Sequence, residues 1–253
     1  MTTGWWVYQF WNGSALEMLE KDNSPSALPI YQQVSEFLIR EIAAGRLLDG
    51  QRLAPERALA AQHGITVRTL RKALLELERR GMLDRVHGSG NYVRTTKDVR
   101  SIYSLFRLEL HAGGGLPTAQ LLDITEQGKP ADLPPFGGSS RATRIRRLRR
   151  LNQIPVAIEE IWLDRSCGAV HREDISDSLY RYYQQKLGFW ITRVSDKVRL
   201  ALVPEWKPAA FDPSPGSPAG FVERLSWAQA DVPVEYSRTW FDPTRANYVQ
   251  RIS

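Results

Sequence analysis

The chain has 253 residues, 42% hydrophobic and 25% charged, a balance that fits one large or two ordinary globular domains and excludes a disordered protein. Its single cysteine, Cys167, excludes a disulfide framework and a cysteine-based zinc site. We expect no cofactor. No apolar run reaches the ~20 residues that span a bilayer, and the Trp-rich start does not resemble a secretory signal. We therefore expect a reducing, cytoplasmic setting without a membrane partner.

The positive charge is unevenly distributed. The whole chain carries a net charge of +6 at pH 7, and residues 28–97 hold twelve Lys or Arg against seven acidic residues. A dense positive region suits an anionic partner such as nucleic acid. Residues 1–27 combine an aromatic cluster with a polar stretch, and we interpret them as a poorly ordered extension. An aromatic docking arm and a true start at Met18 are the alternatives.

Three helices are predicted between residues 28 and 96. Pro29 precedes an apolar stripe with the spacing of one helical face, at Tyr31, Val34, Leu38 and Ile42, and Gly45 ends this helix. Pro55 opens a short second helix that Gly64 closes. Thr66 caps a third helix, which stops at Gly81. The tight turn between the second and third helices predicts a helix-turn-helix.

A hairpin is predicted to follow the third helix. Two strand-like runs, residues 83–86 and 91–94, flank the Gly-rich turn His87-Gly88-Ser89-Gly90. A hairpin in this position is typical of a wing, which touches the adjacent minor groove or the phosphates. Arg68 and Lys72 face away from the apolar side of the third helix, toward phosphates and guanine edges. This order of elements favours DNA binding over a helical subdomain with a solvated charged face.

Three motifs carry a specific resemblance: Leu53-Ala54-Pro55-Glu56-Arg57, Gly64-Ile65-Thr66-Val67-Arg68-Thr69-Leu70-Arg71 and Leu75-Glu76-Leu77-Glu78-Arg79-Arg80-Gly81-Met82-Leu83. With the wing turn, they resemble the winged-helix domain of the GntR family of bacterial transcription factors. The resemblance implies DNA contacts from Arg57, Thr66, Thr69, Arg71, His87 and Gly88. The family usually has Arg where Val67 stands, so either Arg68 substitutes for it or the operator differs. The family also often has Ser where Pro55 stands.

The second half of the chain has the pattern of an antiparallel sheet. Alternating runs predict half-buried strands at residues 119–125, 142–151, 156–163, 191–202, 220–228 and 232–240. Helices are predicted at residues 175–187 and near residues 100–111. We therefore expect an α+β protein, with a few helices against the sheet. The pattern argues against the all-helical effector domain of some GntR members, and the length excludes a fused aminotransferase.

Further motifs identify this half more closely. The first motif is Arg144-Ile145-Arg146-Arg147-Leu148-Arg149-Arg150-Leu151, followed by Ile154-Pro155-Val156-Ala157-Ile158-Glu159-Glu160. The second is Ser178-Leu179-Tyr180, which precedes Leu187-Gly188. The third is Val232-Pro233-Val234-Glu235-Tyr236-Ser237-Arg238-Thr239-Trp240. They resemble the UTRA ligand-binding domain of the HutC subfamily of GntR regulators, which has a chorismate-lyase-like fold. The resemblance implies that residues 97–253 bind an effector and dimerise.

One face of the arginine-rich strand is expected to meet an anion. Residues two apart in a strand share a face, so Arg147 and Arg149 point the same way between apolar neighbours. Burying them is costly unless an anion meets them. Internal salt bridges to Glu159 or Glu235 are the alternative. The resemblance implies effector contacts at Arg147, Arg149, Glu159, Ser178, Glu235 and Phe241. Because Glu235 and Phe241 share a strand parity, both are expected to line the pocket.

These observations predict a homodimeric transcription regulator that acts as a repressor. Each winged helix is expected to read one half-site of an inverted repeat in double-stranded DNA, and a small anionic metabolite to modulate its affinity. A protein that compacts DNA without sequence preference is one alternative. A lyase-like enzyme is the other, but the sequence offers no distinct His, Cys or Ser arrangement for catalysis, so no enzymatic activity is expected.

Overall fold

The computed structural model describes residues 29–43, 46–94, 105–111, 113–115, 117–175 and 178–250. Two predictions, the extension at residues 1–27 and the helix end at Gly45, lie outside these ranges. The chain divides into two compact units, Met1–Leu116 with Val249–Ser253, and Pro117–Tyr248. In the described ranges, no helix is long and apolar enough to cross a membrane.

The first unit contains the predicted winged helix-turn-helix. Its elements are α1 (Ile30–Ala43), α2 (Glu56–Gln62), α3 (Val67–Arg79), β1 (Leu83–Val86) and β2 (Gly90–Val93). The apolar stripes of α1 and α3 form one buried cluster, in which Leu70, Leu74 and Leu77 are fully enclosed. The three-to-four spacing that predicted these helices is therefore the spacing of their core contacts.

The hairpin β1–β2 has an additional neighbour that the alternating pattern did not reveal. Residues 50–53 run antiparallel beside β2, where Leu53 N donates to Asn91 O at 2.8 Å and Val93 N donates to Gln51 O at 2.9 Å. Arg52 forms a bridge with Tyr92 in this arrangement. The segment that leads into α2 is thus attached to the wing by backbone hydrogen bonds.

The helix predicted near residues 100–111 is wrong in the part that the structure describes. Leu108–Leu110 is a short strand, β3. Leu110 N donates to Gly114 O at 3.1 Å, and Gly113 N donates to Leu110 O at 2.7 Å. These bonds close a turn, which ends the extended segment where a helix would have continued. Residues 101–104 lie outside the described ranges.

The second unit is built on a six-stranded antiparallel sheet in the order β4-β5-β6-β9-β8-β7. The six predicted strands correspond to β4 (Pro117–Gly128), β5 (Arg141–Leu151), β6 (Ile154–Asp164), β7 (Arg193–Leu202), β8 (Pro218–Trp227) and β9 (Pro233–Phe241). A last short strand, β10, is Ala246–Tyr248. The α+β class and the antiparallel sheet are confirmed.

One side of this sheet packs against the helical segment formed by residues 179–187. The prediction of a helix at residues 175–187 is confirmed in part, since α4 (Leu179–Tyr182) is four residues long and continues as a wider π-type turn, Tyr183–Leu187. Leu179 and Tyr183 pack there against Ile145 and Ile161 of the sheet. We call this side of the sheet the helical face, and it carries Arg147 and Arg149 because residues two apart share a face.

Candidate functional site

The predicted DNA-contacting residues lie on the surface of the winged helix-turn-helix. Arg57 is exposed in the first turn of α2, and Arg68 is exposed in the first turn of α3. Neither arginine forms an ion pair or a side-chain hydrogen bond with the residues that the structure describes. His87 and Gly88 are exposed in the turn between β1 and β2. Two positive side chains and the wing turn are therefore available to an anionic partner.

Thr66 and Thr69 together fix the start of α3. The Thr66 side chain accepts a hydrogen bond from Thr69 N at 3.1 Å, and the two hydroxyl oxygens are 2.9 Å apart. The cap satisfies one of the backbone N–H groups that a helix start leaves without a partner. Thr66 is exposed, so this capping pair stands at the end of the helix that the resemblance assigns to DNA.

Arg71 connects α3 to α2. Its Nε donates to Glu56 Oε2 at 2.6 Å, and 65% of its side chain is exposed. The contact is made by Nε, and most of the side chain stays exposed. A surface ion pair adds little stability, but this one restricts the direction in which Arg71 points.

Val67 and Arg68 have opposite surroundings. Val67 is half-buried and packs against the core of the first unit. Arg68, the next residue, is exposed. The position where the GntR family usually has Arg is thus used for packing in this chain, and the nearest guanidinium lies one residue later.

Arg147, Arg149 and Glu159 form a buried ionic cluster on the helical face. Arg147 and Glu159 are direct cross-strand neighbours on β5 and β6. Arg147 Nη2 lies 2.6 Å and Nε 3.1 Å from Glu159 Oε2, while Arg149 Nε lies 3.7 Å from Glu159 Oε1. The exposed fractions of the three residues are 5%, 3% and 9%. Both guanidinium groups thus contact the same carboxylate.

The charges of the two arginines determine the ionisation of Glu159. Burial acts to raise its pKa, but the positive charges of Arg147 and Arg149 outweigh burial and hold the pKa below its ordinary value. Glu159 is therefore a carboxylate at neutral pH. The internal salt bridge, which was the alternative to effector binding, is present in the structure.

Glu235 lies on the same face, in a separate hydrogen-bonded group. Its carboxylate accepts hydrogen bonds from Tyr183 Oη at 2.5 Å and from Ser226 Oγ at 2.8 Å. Tyr180 Oη lies 3.5 Å from it. Burial raises the pKa of Glu235, although the two donors and the charges of Arg224 and Arg147 act to lower it. Glu235 already accepts hydrogen bonds from protein hydroxyl groups.

Phe241 occupies the opposite end of β9 from Glu235. The two residues share the helical face, as their parity predicted, but six residues of strand separate them by about 20 Å. The Phe241 ring lies over β8, where a Cβ placed on Gly220 would come within 2.2 Å of Phe241 Cζ. The two side chains thus lie at opposite ends of β9, and their lining of one pocket stays a prediction.

Ser178 has a local role. Its hydroxyl accepts a hydrogen bond from Arg181 N at 3.4 Å and so caps α4, and the residue is 5% exposed. The structure therefore brings Arg147, Arg149 and Glu159 together, and it places Ser178, Glu235 and Phe241 at other points of the same unit.

Sequence reasoning missed the ionic group on the far strands of this face. Arg224 on β8 donates to both carboxylate oxygens of Asp196 on β7, at 2.6 and 2.7 Å, and the pair is largely buried. Tyr248 Oη donates to Asp196 Oδ2 at 2.5 Å. Charge alternation on the two strands was the available signal, since Arg224 and Asp196 are direct neighbours once β7 and β8 are paired.

Comparison with known proteins agrees with both units. Residues 30–93 match the bacterial regulatory proteins of the gntR family, and residues 112–247 match the UTRA domain. The HTH-type transcriptional regulator SmoD of Agrobacterium fabrum (strain C58 / ATCC 33970) is 55% identical over 227 residues, which cover 89% of this chain and 97% of SmoD. The HTH-type transcriptional repressor NagR of Bacillus subtilis (strain 168) is 26% identical over 240 residues, covering 91% and 99%.

A solved structure is similar over both units. The possible transcriptional regulator YydK from Bacillus subtilis subsp. subtilis str. 168 aligns with 89% of this chain and 100% of its own, at 19% identity and a TM-score of 0.49. The pairing of a winged helix-turn-helix with a UTRA domain is the arrangement that the HutC resemblance implied. The chain belongs to the gntR family of bacterial regulatory proteins and is a DNA-binding transcriptional regulator with a UTRA effector-binding domain.

Proposed function

We propose that this regulator is a homodimeric repressor whose affinity for its operator is modulated by a small anionic metabolite, a sugar phosphate or a sugar carboxylate. Each winged helix reads one half-site of an inverted repeat, and the dimer sets the spacing between half-sites. The observation that carries the effector part of this proposal is the cluster of Arg147, Arg149 and Glu159, buried on the helical face.

Two buried guanidinium groups beside one carboxylate are well suited to bind a second anion. Removing charges from water costs several kcal/mol per ion, which close counter-charges and hydrogen bonds offset. A phosphate or carboxylate that approaches Arg147 and Arg149 finds two planar donors already positioned, and it competes with Glu159 for them. This competition couples binding of the metabolite to a rearrangement of the strands β5 and β6.

The names of two relatives support a sugar-derived anion. A protein of Escherichia coli (strain K12) that is 29% identical over 151 residues is the mannosyl-D-glycerate transport/metabolism system repressor. Another, 24% identical over 230 residues, is the probable fructoselysine utilization operon transcriptional repressor. Mannosyl-D-glycerate is a sugar that carries a carboxylate, the type of group that the Arg147 and Arg149 guanidinium groups recognise.

A ligand changes operator affinity only to the extent that it binds the DNA-competent and DNA-released states differently. The test is release of a fluorescent operator duplex by a panel of hexose phosphates and sugar carboxylates, with inorganic phosphate as the reference. We expect at least one compound to shift operator affinity in the wild type. Arg147→Ala should bind the operator normally and respond weakly or not at all.

The matched control is Arg150→Ala on the same strand. Arg150 is more exposed and donates to Gln120 Oε1 at 2.9 Å, so its loss should leave the response intact. If no anion shifts the wild-type affinity, or if Arg147→Ala responds as the wild type does, the proposed effector chemistry is wrong.

A further inference from the structure

A concave site lies in the first unit, between the segment that precedes α2 and the wing. The cavity has a volume of about 550 Å³, and its lining includes Arg52, Glu56, Arg85, His87 and Asn91. It adjoins three of the predicted DNA contacts, since His87 and Gly88 line it and Arg57 follows Glu56 in the chain. Neither the sequence motifs nor the resemblance to the GntR family implied a function for Arg52.

Backbone pairing fixes the position of Arg52. The residue bridges to Tyr92 of β2, and the hydrogen bonds of Gln51 and Leu53 hold its backbone on both sides. Its guanidinium lies against Gly90 at the end of the wing turn, where a Cβ would be 3.0 Å from Arg52 Nε and 3.6 Å from Cζ. Gly90 has a φ of +135°, which L side chains rarely adopt. The wing backbone and the Arg52 side chain therefore form one surface.

The charge balance of the cavity favours an anion. Glu56 is its single acidic lining residue, and its carboxylate is bonded to Arg71 at 2.6 Å. Arg85 lies 3.4 Å from Glu78. Arg52 is exposed and forms no ion pair or side-chain hydrogen bond with any residue in the described part of the chain. Its charge is thus available to a partner that the isolated chain does not supply.

We propose that Arg52 and the wing turn bind one backbone phosphate of the operator, in the cavity between α2 and the wing. This inference rests on the DNA binding proposed above. A duplex whose major groove receives α3 and whose minor groove or phosphates meet the wing carries its sugar-phosphate backbone between the two contacts. The guanidinium fork matches phosphate oxygens, and phosphate contacts set the register of the protein on the duplex without reading bases.

The test measures how operator binding depends on salt, because each neutralised phosphate contributes about 0.9 to the slope of log affinity against log salt. For each bound winged helix, Arg52→Ala should lower affinity and reduce the slope by about 0.9. It should weaken operator and unrelated duplex by similar factors, so the preference for the operator persists. Arg52→Lys, which keeps the charge, should retain most of the slope.

Arg79→Ala is the matched control. Arg79 is also exposed and forms no ion pair with the described residues, but it lies in the last turn of α3, away from the cavity. The slope of log affinity against log salt for Arg79→Ala should equal that of the wild type. Circular dichroism of each variant verifies that the fold is intact.

The two proposals fail in different ways. If the wild type prefers the operator and Arg52→Ala leaves the slope unchanged, the phosphate site is wrong and operator recognition stands. If the wild type has no preferred site but Arg52→Ala reduces the slope on any duplex, the phosphate contact is supported and operator recognition is wrong.

Discussion

Arg147 and Glu159 face each other in register across β5 and β6, with Arg147 Nη2 2.6 Å from Glu159 Oε2 in the buried interior of the helical face. Arg149 approaches the other oxygen of the same carboxylate at 3.7 Å. The protein thus supplies the counter-charge for its own arginines. Under the proposed function, an effector anion competes with Glu159 for the two guanidinium groups, so its binding is coupled to the loss of this ion pair.

The stability of this cluster should depend on its completeness. Glu159→Gln leaves two buried guanidinium groups without their shared carboxylate, and we expect the free energy of unfolding to fall by about 3 kcal/mol. Replacing Arg147, Arg149 and Glu159 together by Met, Met and Leu should cost far less, because buried ionic groups exchange for apolar ones at little net cost. Urea denaturation of the three proteins measures this. A loss under about 1 kcal/mol in Glu159→Gln would contradict the described pairing.

Glu235 should produce an unusual pH dependence of stability. Burial raises its pKa in the folded state above the ordinary value of 4.5. A carboxyl group whose pKa is higher in the folded than in the unfolded state contributes stability that is fully present below pH 4.5 and declines as pH rises through the folded-state pKa. Glu235→Gln does not ionise, and its single carbonyl oxygen retains one of the two acceptors, since Tyr183 and Ser226 donate to different oxygens of Glu235. The variant should therefore become more stable relative to the wild type as pH rises above 4.5 and through the raised folded-state pKa of Glu235.

The difference between the two proteins isolates Glu235. The lowered pKa values of Glu159 and Asp164 make stability fall at acidic pH, but they do so in both proteins. Thermal unfolding at a series of pH values provides the measurement. A difference that does not change with pH, or that changes in the opposite direction, would contradict the raised pKa.

The contact between Phe241 and Gly220 predicts a steric effect. Gly220→Ala places a methyl group where the Phe241 ring lies, and we expect a loss of about 1–3 kcal/mol from overpacking. Gly128→Ala is the control, because a Cβ there meets no atom within 4 Å and should change stability by less than about 0.5 kcal/mol. Shortening the ring in Gly220→Ala/Phe241→Leu should recover part of the loss. Equal losses of stability in Gly220→Ala and Gly128→Ala would argue against the contact between Phe241 and Gly220.

The cap of α3 predicts a linked loss of stability and DNA affinity. Thr66→Ala removes the acceptor for Thr69 N and should destabilise the first unit by about 1 kcal/mol. It should also weaken operator binding, because the first turn of α3 carries Arg68. Thr66→Ser keeps the hydroxyl and should behave like the wild type in both assays. Chemical denaturation and operator titration of the two variants distinguish a capping residue from a neutral surface position.

Local sequence patterns predicted most of the described elements of this protein. Apolar spacing identified α1 and α3, and alternation identified the six strands of the large sheet to within a few residues. The shared face of Arg147 and Arg149 followed from parity alone. These features depend on residues close together in the chain, where the helical and strand periods apply directly.

The unpredicted features depend on pairing between distant segments. Arg52 joins the wing because residues 50–53 pair with β2, some forty residues later. Phe241 and Glu235 share a parity but lie in different groups, because the ring crosses to Gly220 and the carboxylate meets Tyr183. The spacing near residues 100–111 favoured a helix, but the turn at Gly113 and Gly114 made Leu108–Leu110 a strand. Strand order and register decided the first two cases, and no single segment encodes them.

The most direct test of the central claim is a footprint on the promoter region upstream of the protein's own gene, across a salt series with excess competitor DNA. We predict a protected inverted repeat that survives the competitor in the wild type and is lost in Arg57→Ala and Arg71→Ala, since both arginines lie on the surface assigned to DNA. Arg147→Ala should protect the same repeat. Uniform coating of the DNA, with no protected site and no effect of Arg57→Ala, would contradict operator recognition and favour sequence-independent compaction.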